Sequence, residues 1–164
     1  MADTYLDALT DYPLKALHAI GNDQTVVSLL TDDPNVVIGS EEADSVFDKY
    51  LFDYDFVDDT TVETAAYICA EAEVVRVPTD TMKTMEFYIT VICHKKFMRI
   101  DTSKFKGMAG NRRDNLVRYI DNILSGTDLF GIGKLKFNRV VTVNSPAGFS
   151  ARQIIYTVPD FNVK

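Results

Sequence analysis

Two long β-rich runs separated by five residues constrain this chain more than any other feature. "TAAYICAEAEVVRVP" at 64–78 and "TMEFYITVICHKKFM" at 84–98 flank "TDTMK". β-branched and aromatic side chains dominate both runs. The short polar connection leaves no length for a crossover, so the pair predicts an antiparallel hairpin. In the second run, strand alternation puts Phe87, Ile89, Val91 and Cys93 on one face and Tyr88, Thr90, Ile92 and His94 on the other. Both faces are largely apolar, so the sheet must be covered at least partly on each side.

The rest of the chain supplies what can cover it. "NRRDNLVRYIDNILSG" places Leu116, Val117, Ile120, Ile123 and Leu124 on one helical stripe, with Arg113, Arg118, Asp121 and Asn122 elsewhere. Asn111 can cap this helix over 112–125, with Asp114 three residues on and Gly126 as its stop. After it, "GIGKLKFNRVVTVNSPAGFSARQIIYTVPDF" reads as two more strands around the turn "NSPAG". Upstream, Leu6, Leu9, Leu14 and Leu17 sit at near-helical spacing around Pro13, which a first turn tolerates, predicting a helix over 13–20 that Gly21 ends. "DQTVVSLLTDDP" reads as a short helix or turn, and "NVVIG" as a brief strand.

Residues 40–64, "SEEADSVFDKYLFDYDFVDDTTVET", interleave Phe47, Tyr50, Phe52, Tyr54 and Phe56 with carboxylates; Leu51 to Val57 alternates with a period of two only in part, and the first half could be a short helix. They read as a long excursion. Long loops in compact domains are disordered or functional, and the aromatics argue against disorder. The expected architecture is one α+β domain over 1–164: a helical N-terminal region at 1–39, the excursion at 40–64, and a hairpin-helix-hairpin core at 65–164. Its mainly antiparallel sheet packs on the amphipathic helix.

Charge is strongly segregated. The net charge is −7, but residues 1–64 carry 15 acidic and 2 basic side chains while residues 65–164 carry 9 and 15. The stretch 95–118 alone holds eight basic residues against two acidic. Such a chain can attract copies of itself head to tail, or an external polyanion. The N-terminus is acidic where a secretory leader would be basic, and no apolar run reaches the ~18 residues of a membrane span. These features predict synthesis in the cytoplasm as a soluble protein. Cys69 and Cys93, both in apolar surroundings, are expected as buried thiols in a reducing compartment.

Chemical motifs are sparse, and no enzyme activity is expected. His18 and His94 are the only histidines. Cys93 and His94 are strand neighbours that point to opposite faces and cannot readily share a proton. The carboxylates at 53–59 lack the D-x-[DN]-x-[DN]-G loop of a calcium site, so neither metal nor cofactor is expected. Gly107-Met108-Ala109-Gly110 lacks the lysine of a Walker loop. It matches the G-x-x-G of KH domains in spacing alone, because that loop joins two helices and this one follows a strand. Arg112 and Arg113 at a helix start oppose the helix dipole unless an anionic partner meets them.

The order of elements, with "NRRDNLVRYIDNIL" as the central helix between two hairpins, resembles the tail terminator and tail-completion proteins of long-tailed bacteriophages. That resemblance implies a virion protein assembled in the host cytoplasm, without catalysis. It would form a ring, commonly six-fold, that caps the tail tube and joins it to the head-side connector or neck protein, with DNA passing through the lumen unbound. Carried over by element order, Lys95, Lys96, Arg99, Lys104, Lys106, Arg112 and Arg113, with Phe52, Tyr54 and Phe56, would meet another subunit or partner. Asp53, Asp55, Asp58 and Asp59 would line the lumen. The alternative is a cytosolic nucleic-acid-binding module using the basic patch at 95–118, against which the overall acidity weighs.

Overall fold

The hairpin forms where the alternation requires it. In a computed structural model, which describes residues 6–161, β2 (Ala66–Thr79) and β3 (Met82–His94) pair antiparallel from Ala66↔Cys93 to Thr79↔Met82. Asp80 and Thr81 alone make the connection, tighter than the five residues expected. The second hairpin is β4 (Lys136–Val143) and β5 (Phe149–Phe161), and β5 pairs along the whole of β3. The sheet has five strands in the order β1-β2-β3-β5-β4, antiparallel except for the short β1 (Leu51–Phe52), which runs parallel to β2. The chain is α+β, as its sequence predicts.

Both faces of the sheet are covered, by different means. On one face Ile68, Phe87, Ile89, Val91, Ile154 and Tyr156 form the main core with α5 (Arg112–Leu124), α1 (Ala8–Gly21) and α2 (Gln24–Thr31). Leu116, Ile120 and Leu124 of α5 are wholly buried there, each contributing about 1.5–3 kcal/mol. Asn111 caps α5 by accepting from Asp114 N at 2.9 Å, and Asp23 caps α2 by accepting from Thr25 N and Val26 N. The opposite face carries a smaller cluster of Tyr67, Cys69, Ile92, Phe149, Ala151 and Val57.

Three expectations are corrected. Helix α1 starts at Ala8, a turn before the expected start, because Asp7 O already accepts from Thr10 N and Asp11 N; Pro13 lies inside it. "NVVIG" is no strand: Asp33 accepts from Asn35 N and Val36 N, and Ser40 N donates to Val37 O, so consecutive turns take up the backbone. The excursion is not a loop throughout: its first half is helical, as its sequence allows. Ser40 caps the one-turn helix α3 (Glu41–Asp44), α4 (Val46–Lys49) follows, and Leu51 and Phe52 pair with Ile68 and Cys69 of β2. Val46 and Leu51 belong to the main core.

Candidate interaction surface

From Tyr50 onward the chain crosses the sheet edge, and its aromatics close over the second face. Phe52 and Phe56 stack with ring centroids 3.8 Å apart and planes within 4°, and Phe56 meets Tyr67 at 5.3 Å. Burial is the first cause that pushes the Tyr67 hydroxyl up to about 12, helped by Glu63. Phe52 and Phe56 are thus half-buried on their own sheet, while Tyr54 stays exposed at the rim. The aromatics expected at a partner surface have an intramolecular role that hydropathy could not reveal, because their packing face lies on a strand that follows them in sequence.

Asp53, Asp55, Asp58 and Asp59 are all exposed, but they do not share one surface. Asp53 lines an apolar cleft beside α1, with Leu14, Leu17, His18, Phe47 and Leu51. Asp55 lines a polar slot of about 170 Å³ on the far face, with Glu71, Thr90 and Gln153. Burial first, then repulsion from Asp55 and Glu73, raises the Glu71 carboxyl there. Asp58 is held by hydrogen bonds from Thr60 and Thr61 within its own turn, and the Thr60 bonds lead in lowering its pKa.

The basic stretch divides into two populations. Lys95, Lys96, Arg99 and Lys106 are exposed and make no ion pair among the described residues. Lys104 binds Asp32 at 2.9 Å from a half-exposed position. Arg112 and Arg113, expected at a subunit contact, are instead 1% and 9% exposed. The Arg112 guanidinium lies 3.9 Å from the centre of the Phe97 ring. It donates from Nε to Phe97 O at 2.9 Å, from Nη1 to Leu29 O, and from Nη2 to Asp32. Arg113 pairs with Asp114 at 2.9 Å and donates to Ser150 Oγ at 2.6 Å. The anions that offset the helix dipole are therefore in the same chain. Both arginines are thus buried with partners in their own chain instead of standing free for another subunit, and reversing their charge is expected to destabilise the fold.

Gly107 and Gly110 take positive φ of 78° and 88°, which lets the loop turn from β3 into α5. The G-x-x-G is thereby a turn device on a strand-to-helix connection. Cys93 is buried in the main core and donates to His94 O at 3.6 Å, whereas His94 stacks edge-on against Phe149 across the sheet. Burial pushes the Cys69 thiol up to about 11 and the Cys93 thiol up to about 12, so neither carries thiolate at neutral pH. Among the described residues no group of three His, Cys, Asp or Glu side chains is placed to hold a metal ion, and no helix is long and apolar enough to cross a membrane.

A surface that the sequence reading missed lies on the open edges of the sheet. β1 covers β2 only at Ile68 and Cys69, so the outer edge of β2 from Ala70 onward has no neighbouring strand among the described residues, and β4 likewise ends the sheet. On the far face Glu71 stands opposite Tyr88, Tyr88 opposite Ile155, and Ile155 opposite Arg139. The next far-face row runs from Glu73 through Glu86 and Thr157 to Lys136. Each row is acidic at the β2 edge and basic at the β4 edge. Alternation within the runs carried this signal, but the register across four strands was needed to read it.

The model of the YomW family matches residues 23–158, from the start of α2 through nearly all of β5. The chain belongs to the YomW family. That family name is a phage-derived, SPBeta-like one, compatible with a phage protein. No curated protein matches the chain significantly.

Proposed function

We propose that this chain is a structural subunit of a phage particle, a tail-terminator or neck protein, that joins copies of itself into a ring and has no catalytic step. The observation that carries the reading is the pair of open, oppositely charged sheet edges. Strand β2 runs antiparallel to β3, β3 to β5 and β5 to β4, so β4 runs antiparallel to β2. Set beside an identically oriented copy, the β2 edge therefore meets β4 as a further antiparallel pair, with Glu71 and Glu73 on the same face as Arg139 and Lys136. Such a contact is heterologous, and heterologous contacts close into rings when the rotation allows. Both edges carry bulges, between Val74 and Arg76 and between Phe137 and Arg139. Bulges and edge charges discourage indiscriminate pairing, and opposite signs favour this one. The phage-derived family supports placing such a ring in a virion; six-fold closure, contact with the tube and connector, and passage of DNA follow from the resemblance to tail terminators.

A charge swap tests the reading. The full chain is expected to form a particle of several subunits by light scattering. Lys136→Glu with Arg139→Glu should lower the particle mass, and adding Glu71→Lys with Glu73→Lys should restore it. A monomeric wild-type chain, or a particle indifferent to the swap, overturns it.

The exposed and unpaired Lys95, Lys96, Arg99 and Lys106 favour a second reading, a nucleic-acid-binding module. A filter-binding titration at low salt separates the two. Tight binding by the assembled wild type that disappears when Lys95, Lys96 and Arg99 are neutralised would select the second.

A further inference from the structure

The outward side of α1 carries Thr10, Asp11, Lys15 and His18, and among these polar side chains Leu14 is an exposed apolar one. Leu14, at near-helical spacing from Leu17, is 55% exposed whereas Leu17 is buried. Leu14 forms a ridge with His18, and a cleft lies on each side. One cleft has a volume of about 430 Å³, a floor of Leu17, Phe47 and Leu51, and Asp53 in its wall. The other, of about 380 Å³, runs between the ridge, Ala19 and the exposed Leu129. Phe47 and Leu51 also press on Gly21, where an added Cβ would lie 2.5 Å from the Phe47 ring, so the floor of the first cleft is firmly packed.

The complementary surface lies on the same chain, at the tip of the β2–β3 hairpin. Residues 75–81 are all exposed, and Val75 and Val77 leave about half of their surface in water. Arg76 stands between them. Neither Arg76 nor Asp53 makes an ion pair among the described residues. A hairpin tip entering a cleft is contacted on both sides, so its apolar side chains and its charge can be satisfied together. Removing those valines and the Leu14 ridge from water is favourable at about 25 cal/mol per Å².

We propose that the β2–β3 tip of one copy docks in the α1 cleft of a second copy, with Val75 and Val77 against Leu14, Phe47 and Leu51 and Arg76 beside Asp53. The proposal rests on the reading that copies of this chain assemble, but it uses surfaces separate from the open sheet edges. Tip and cleft are different patches, so this contact too is head to tail.

Site-specific cross-linking of the full chain tests it. Cys69 and Cys93 are buried and silent toward a short bis-maleimide. A chain carrying Val77→Cys with Leu14→Cys should give a ladder of cross-linked multimers, several-fold above either single variant. Circular dichroism confirms that each variant folds, both positions being exposed. The same ladder in the Lys136→Glu, Arg139→Glu background upholds the contact even if edge pairing fails. No cross-link above the single variants, whether the wild-type chain forms a particle or stays monomeric, overturns it.

Discussion

Replacing Arg112 with alanine removes a guanidinium that serves Asp32, Leu29 O and Phe97 O and packs on the Phe97 ring. It leaves two carbonyls without their donor inside the domain. The expected loss is about 3 kcal/mol by urea unfolding, as for breaking a buried charge network. Lys104→Ala at the exposed half of the same cluster should move the urea midpoint far less, because water already screens it. The cluster also sets a pH dependence. Burial opposes ionisation of Asp32, but the bonds from Lys104 and Arg112 outweigh it and hold the carboxyl below its ordinary 3.8. The folded chain therefore binds fewer protons than the unfolded chain in acid. This stabilisation is complete above the ordinary value and is lost as pH falls through the depressed one. Urea midpoints measured from about pH 5 down to about pH 3 should fall, and Asp32→Asn should flatten part of that slope.

At the scale of elements, the segment from Tyr50 to Val57 determines whether the far face of the sheet is covered. It has one two-residue strand and no helix of its own between those residues, so its position depends on Phe52 and Phe56 lying against Tyr67. Phe56→Ala should cost about 3 kcal/mol at most, since the ring is only partly buried. More tellingly, it should open the peptide bonds around 53–64 to limited proteolysis in a chain whose helix-side core is intact. Equal protection of that segment in wild type and variant would show that β1 pairing alone holds it.

For the whole molecule, the segregation of charge along the sequence survives only partly in space. Asp32, from the acidic third, has two of the basic stretch's charges as neighbours, Lys104 and Arg112, while Arg113 is taken by Asp114. The charges left exposed for the proposed contact with another copy are Lys95, Lys96, Arg99 and Lys106, the exposed aspartates and the two edge rows. Such a contact is exposed, so raising salt to about 1 M, which shortens the Debye length from about 8 Å to about 3 Å, should lower the particle mass seen by light scattering. If apolar docking of the tip dominates instead, the particle should persist in salt and dissociate when Val75 and Val77 become serine.

The sequence by itself determined the two hairpins, α5 with its Asn111 cap, the α+β class and the burial of both cysteines, because each depends on a local period or a capping side chain within a few residues. It could not place the 50–57 segment, whose aromatics pack on Tyr67 of β2 and on one another at separations no period encodes. It could not distinguish Arg112 from Lys106: both are basic side chains in one polar run, and only the approach of α2 puts a carbonyl and a carboxylate around the first. It showed Leu14 as one of four leucines at helical spacing. Only the seating of α1 against the sheet determined that this leucine faces outward, because an amphipathic stripe gives the period of a helix and not its rotation once other elements compete for the same core.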